Sequence, residues 1–272
     1  MPTLGCELKA VNRLLAEMTI SSNDVISMLP IAAILCFGIF VQSAAGFAAG
    51  LLIVPSLLWC GFTIPAAQSA LLVATIPQNI WGVWSFRKDI VPRSLVWPAV
   101  GRVAMLPVGV SILYSMDSLS TETIRQIVGA AVLISTLAIA WFKPLPRTHL
   151  HPLWAWLVFP VSGFLQGIVG MGGPVMVFWV QAHDWDTKRI RGFLFGMYLM
   201  SIVPGLTILY FAFGDRIILP GLLATASTPA LWISSVLGLR LGTWLGRDRL
   251  RTLTLMLLLL LGVSGLAAPW LR

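Results

Sequence analysis

Phe40–Pro55 reads FVQSAAGFAAGLLIVP, and Phe164–Trp179 reads FLQGIVGMGGPVMVFW. Phe40, Gln42 and Gly46 recur as Phe164, Gln166 and Gly170, and the same register carries Thr63 onto Thr187. Each copy sets a glutamine and a cluster of small residues inside a long apolar run. A chain with this pattern is constrained to two related halves, each with a helix that is interrupted part-way along.

The apolar runs cannot be soluble core. Of 272 residues, 58% are hydrophobic and 10% charged, with mean hydropathy +0.90. That charge does not cover the surface of a soluble domain of this size. The net charge of +8 does not point to nucleic acid, because Lys and Arg fall in short loops between apolar runs, as cytoplasmic loops of membrane proteins do. Cys6, Cys36 and Cys60 have neither metal nor disulfide-framework spacing. The first apolar run, from Val25, lacks a small-residue cleavage site and reads as a retained membrane segment.

The expected fold is an all-α integral membrane protein. It has two inverted-topology repeats and about 8–10 transmembrane or re-entrant segments, with helices broken at the glycine motifs. Residues 1–24 form an N-terminal arm, 25–142 the first repeat, 143–151 a basic cytoplasmic linker and 152–272 the second repeat. Apolar segments run 25–44, 46–60, 65–85, 93–115 and 122–142, then 152–170, 172–183, 191–212, 218–240 and 249–270. The second of each set falls short of the ~20 residues a crossing needs, so it either spans partially or turns back.

Loop charge sets the topology. Arg87, Lys88 and Arg93 share one loop, Lys143 and Arg147 a second, Lys188, Arg189 and Arg191 a third, and Arg247, Arg249 and Arg251 a fourth. The intervening loops are acidic, balanced or uncharged, as at Asp117–Glu122, Asp215–Arg216 and Cys60–Pro65. All four basic loops reach the cytoplasm only if each half has odd parity, so the halves start on opposite faces. Both termini then lie outside the cytoplasm.

Gly46, Ala48, Ala49 and Gly50 match Gly170, Gly172, Gly173 and Pro174. Glycine permits the sharp turn, and Pro174 suits the first turn of a new helix. Two helix starts aimed at one midplane point would offer unpaired N–H donors and partial positive charge to a small anion. Close packing through small residues is the structural alternative. Gln42 and Gln166, one turn earlier, add neutral donors or brace the breaks. Arg102 lies nine residues past Arg93, about 14 Å of helical rise and near the middle of its segment. An intramembrane arginine costs at least about 2.5 kcal/mol and calls for a partner. That partner is a substrate anion, helix C-terminal carbonyls, or the interface reached by snorkelling.

Ser43 joins the primary candidates. Gln78, Asn79, Ser234 and Ser235 form a second tier with Ser69 and Thr75, since buried amides and hydroxyls also bridge helices. Alignment of Gly109 with Gly242 makes Ser234 and Ser235 the counterparts of the Arg102 region. His183 beside Asp184 is a candidate protonatable gate, and Trp81, Trp84, Trp141, Trp154, Trp185 and Trp270 read as interfacial anchors. No nucleophile motif, phosphate loop or metal cluster appears. Neither enzyme activity, cofactor nor metal is expected.

The stretches Gln42-Ser-Ala-Ala-Gly46-Phe-Ala-Ala-Gly50 and Gln166-Gly-Ile-Val-Gly170-Met-Gly-Gly173-Pro174 resemble the glycine-rich repeats of the sulfite exporter TauE/SafE family, the TSUP permeases. The second copy matches better, because the first has alanines where the family often has glycines. The resemblance covers nearly the whole chain after the N-terminal arm. It implies movement of small sulfur-containing or organic anions, such as sulfite, sulfoacetate, other sulfonates or carboxylates. The expected function is thus a secondary transporter of the inner membrane, an exporter working by alternating access. An anion channel or an ion-coupled uptake permease is the alternative. Its partners are a small anion and the lipid bilayer, without nucleic acid, and a homo-oligomer is allowed.

Overall fold

The structure, a computed structural model, describes residues 22–141, 147, 150–151, 153–245, 247–267 and 270. The N-terminal arm before residue 22 and most of the linker 143–151, including Lys143 and His149, lie outside the described residues. Among the described residues, twelve α-helices follow one another. The first half holds α1 (Ser22–Ala45), α2 (Ala49–Trp59), α3 (Ile64–Ala74), α4 (Ile76–Ser85), α5 (Pro92–Ser115) and α6 (Thr121–Trp141). The second holds α7 (Leu153–Val169), α8 (Gly173–Gln181), α9 (Thr187–Phe213), α10 (Ile218–Ala226), α11 (Thr228–Leu245) and α12 (Arg247–Leu266). By length and composition, three stretches among the described residues suffice to cross a membrane: Pro92–Ser118, Thr121–Trp141 and Thr187–Ala226. The protein is an all-helical membrane protein.

Loop contacts define two ends. Arg216 pairs with Asp117 at 2.7 Å, and Arg125 donates to the Leu58 carbonyl at 3.0 Å. These contacts gather the loops after α2, α5 and α9 at one end. At the other, the Arg147 N–H donates to the Ala182 carbonyl at 2.9 Å and the Asp184 N–H to the Arg147 carbonyl at 3.2 Å. Gly192, at the start of α9, packs against Phe86 and Ile90 there. Arg87, Lys88, Arg147, Lys188, Arg189 and Arg191 therefore share an end, as loop charge predicted.

Both short arms turn back. Across the Gly170 turn, Phe159 of α7 meets Trp179 of α8 with ring centroids 5.0 Å apart. Nearer the turn, Ser162 donates to the Gly172 carbonyl at 2.7 Å. The α7–α8 hairpin thus enters from the basic end and returns to it. In the first half, a Cβ on Gly38 would meet Ile53 across the turn at 46–48, and α2 runs to the Asp117 end. The two hairpins open toward opposite ends.

Two expected single segments are broken. The stretch 65–85 splits into α3 and α4 at Thr75, and 218–240 splits into α10 and α11 at Ser227. Pro77 and Pro229 each follow the break by two residues and remove an N–H that would continue the ladder. Thr75 and Ser227 hydroxyls bond back to the Leu72 and Leu223 carbonyls, at 2.8 and 2.9 Å. The segment expected from 191 begins earlier, at Thr187, capped by Asp186 accepting from the Arg189 N–H at 3.1 Å. Thr63 precedes α3 in extended conformation without a side-chain cap bond, while Thr187 is the first residue of α9, so the Thr63–Thr187 register marks helix starts one residue apart.

Packing between halves is exchanged. Helix α7 lies along α5, α1 along α11, and α6 along α12. These contacts are close because glycine removes the side chain: Gly129 faces Gly265, Gly109 faces Gly167, and Gly238 faces the Phe40 carbonyl.

Candidate functional site

Gly46 and Gly170 have φ of +85° and +73°, the left-handed region that lets each hairpin reverse. Their N–H groups close the preceding helices on the carbonyls of Gln42 and Gln166, at 2.6 and 2.9 Å. Helix α8 then starts with Pro174 in its first turn. The two breaks touch: a Cβ on Gly50 would stand 2.5 Å from the Gly170 carbonyl oxygen. Gln68 Nε2 donates across the halves to the Gly167 carbonyl at 3.3 Å.

Ala48 shares the first turn at φ +96°, a conformation that a Cβ makes costly. Ala48→Gly is expected to stabilise the protein by about 1 kcal/mol, a rise of some 2–4 °C in melting temperature. A melting curve of the purified protein checks this.

Where the breaks meet lies a cavity of about 50 Å³, larger than one water requires and sized for a small ion. Ala49, Gly50 and Leu51 from the start of α2 line it, facing Gly173 and Pro174 from the start of α8. Gln42, Gln166, Gly170 and Arg102 complete its polar wall with Tyr198, Thr75 and Ser201.

Arg102 is 1% exposed. Its Nη1 donates to Ser162 Oγ at 2.6 Å and meets the Met176 sulfur, and its Nη2 donates to Gln166 Oε1 at 3.3 Å. The guanidinium carbon lies 5.7 Å from the centre of the Tyr198 ring. All these partners are neutral, and Nε has none among the described residues. The cation is positioned by side chains without being neutralised, and of the three partners the sequence allowed, neither helix-end carbonyls nor the interface holds it. Gln166 Oε1 also accepts from the Gly172 N–H at 3.3 Å, so one carboxamide ties the arginine to the break.

A model of the sulfite exporter TauE/SafE family matches residues 31–265. The chain belongs to that family. Neither the curated proteins nor the solved structures include a match to it. TauE/SafE proteins are membrane transporters, so the cavity lies in the midst of a transport fold.

Within this TauE/SafE chain, Gln42, Arg102, Gln166, Gly170 and Gly173 of the expected residues meet at the cavity. Gly46 and Gly172 stand behind its wall, as the turn itself and as the carbonyl and N–H that hold Ser162 and Gln166. Ser43 instead bonds Ser235 at 3.2 Å, bridging α1 to α11. Ser234 also lies on α11 outside the cavity lining, and Ser69 bonds the Ile217 carbonyl at 3.0 Å. Gln78 and Asn79 are buried on α4 beyond the cavity wall.

His183 lies at the basic end between Trp179 and Trp185, with ring centroids at 4.1 and 4.5 Å. Its Nδ1–H donates to the Trp179 carbonyl at 2.8 Å. Burial holds its pKa below the usual histidine value, opposed by that hydrogen bond and helped by Arg189. It does not line the central cavity.

Tyr198, Ser162 and Met176 were not legible as site residues. Ser162 stands four residues before Gln166, the spacing that puts both on one helix face, and that was the available signal. Tyr198, one of several hydroxyl residues in its apolar helix with Ser201, Thr207 and Tyr210, offered none.

Proposed function

We propose that this protein exports a small sulfur oxyanion or organic sulfonate, sulfite or sulfoacetate in kind, across the inner membrane by alternating access at the central cavity. The observation that carries the reading is Arg102, a buried cation with only neutral partners where two helices start. A bound monovalent anion would supply the missing charge, and the free N–H groups of α2 and α8 would add donors. The halves are read as inverted repeats, which fits hairpins opening toward opposite ends. On this reading the basic end is cytoplasmic and both termini are not. An inside-negative potential favours outward anion movement by about 2.3 kcal/mol per charge per 100 mV, so export requires no coupling ion.

The test is efflux from proteoliposomes loaded with sulfite, with orientation fixed by thiol labelling of Ser118→Cys and Lys88→Cys. Saturable efflux, competed by sulfonates and driven by potential, is expected. Flux that rises linearly with sulfite would make the protein a channel, and labelling of both positions from one side would remove the proposed topology.

A further inference from the structure

One face of α4 carries Gln78, Asn79 and Gly82, continuing from Thr75 at the break. Spacings of three and four stack these residues along one side of the helix. Thr75 lines the central cavity, and Gly82 lies under the Phe195 ring of α9. Between these two points, Gln78 is 1% exposed and Asn79 0%. Neither carboxamide has a hydrogen-bond partner among the described residues. Two adjacent amides with all four polar atoms unmatched cost stability that apolar residues of the same size would not. Neither helix bridging nor bracing of a break explains them, since they bond nothing.

The position of the stripe is informative. It starts at the cavity and runs toward the basic end, where Phe86 stacks on Phe195 at 6.3 Å and an interplanar angle of 4°. Arg87 and Lys88 follow directly and raise the local concentration of anions. The break at Thr75 separates α4 from α3, so α4 can swing as a unit about a few residues.

We propose that Gln78 and Asn79 form a second, transient anion site between the central cavity and the basic end. In this conformation Phe195, seated on Gly82, closes it. When α4 moves off α9, the two amide NH2 groups become donors to a small oxyanion in transit, and water reaches the seam. The site rests on the anion-transport reading of the cavity.

The experiment uses the full chain in proteoliposomes, with Cys6, Cys36 and Cys60 replaced by serine and either Gln78→Cys or Asn79→Cys introduced. A positively charged, impermeant methanethiosulfonate is expected to react from the basic face only, and sulfoacetate, which unlike sulfite does not consume the reagent, is expected to slow it. No reaction, or reaction from the opposite face, overturns the site while the central reading stands. Reaction from the basic face that no inert sulfonate slows overturns the anion site at this pair, while efflux from the otherwise unaltered protein that no sulfonate competes with overturns the central reading and this site with it. The combined Gln78→Leu and Asn79→Leu variant supplies a second measure. Its melting temperature should not fall and its sulfite affinity should hold, while efflux drops about tenfold as the transit step slows. A lower melting temperature with normal efflux makes the pair structural and overturns the proposal.

Discussion

Arg102→Gln should weaken sulfite binding by about 30-fold or more, the loss expected when a desolvated charged hydrogen bond worth some 2–5 kcal/mol is removed. The same substitution should leave the melting temperature unchanged or raise it. The guanidinium is fully buried, and among the described residues it bonds Ser162, Met176 and Gln166 and faces the Tyr198 ring, all neutral, so the empty protein carries an uncompensated charge whose removal relieves it. A purely structural arginine predicts the reverse, with stability lost and affinity kept. Arg102→Lys should rescue binding only in part. Lysine restores the charge but not the planar fork that reaches Ser162 and Gln166 with separate nitrogens. Isothermal titration and melting curves for both variants, at one ionic strength, separate these outcomes.

Gly50→Ala is the second large effect, and it exceeds Gly46→Ala. A Cβ on Gly46 meets nothing within 4 Å, so the cost there is the φ of +85° alone, about 1–3 kcal/mol. A Cβ on Gly50 meets the Gly170 carbonyl oxygen at 2.5 Å. That oxygen belongs to the backbone of the other break, so the hairpins themselves must separate. Gly50→Ala is expected to abolish efflux and to lower the melting temperature by more than Gly46→Ala does. Equal effects in the two variants would mean that the breaks do not bear on each other. Gly173→Ala is the milder control, because its Cβ would meet the Tyr198 hydroxyl at 2.9 Å, the tip of a side chain that can turn aside. It should narrow the cavity and reduce affinity with little loss of stability.

The helix breaks were readable because their causes are local. A glutamine, then glycines, then Pro174 specify a stop and a start within nine residues, and the structure places both there. Whether the short arms cross or return was not readable. A nine-residue apolar helix has the same composition in either case, and the answer depends on contacts such as Phe159 with Trp179. The breaks at Thr75 and Ser227 were present in the sequence as hydroxyl residues two places before proline, but prolines inside α1, α5 and α9 leave those helices unbroken. Arg102 stood out as a charge where none belongs. Its neighbours did not, because Ser162, Met176 and Tyr198 are ordinary residues of membrane helices until the fold sets them around a cation.

The contact between Gly50 and Gly170 joins positions made far apart in time during synthesis. When the ribosome has released the first hairpin into the bilayer, the turn's backbone groups other than the Gly46 N–H and Ala48 carbonyl, which are bonded within the hairpin, have no water to turn to. The surfaces that shelter them, α11 along α1 and the Gly170 turn against Gly50, do not yet exist. The early chain must therefore wait at the membrane surface, beside the insertion machinery, or as a provisional helix that unwinds later. The reversal beside the cavity is in this sense completed only late, and biogenesis of the site is coupled to completion of the whole protein.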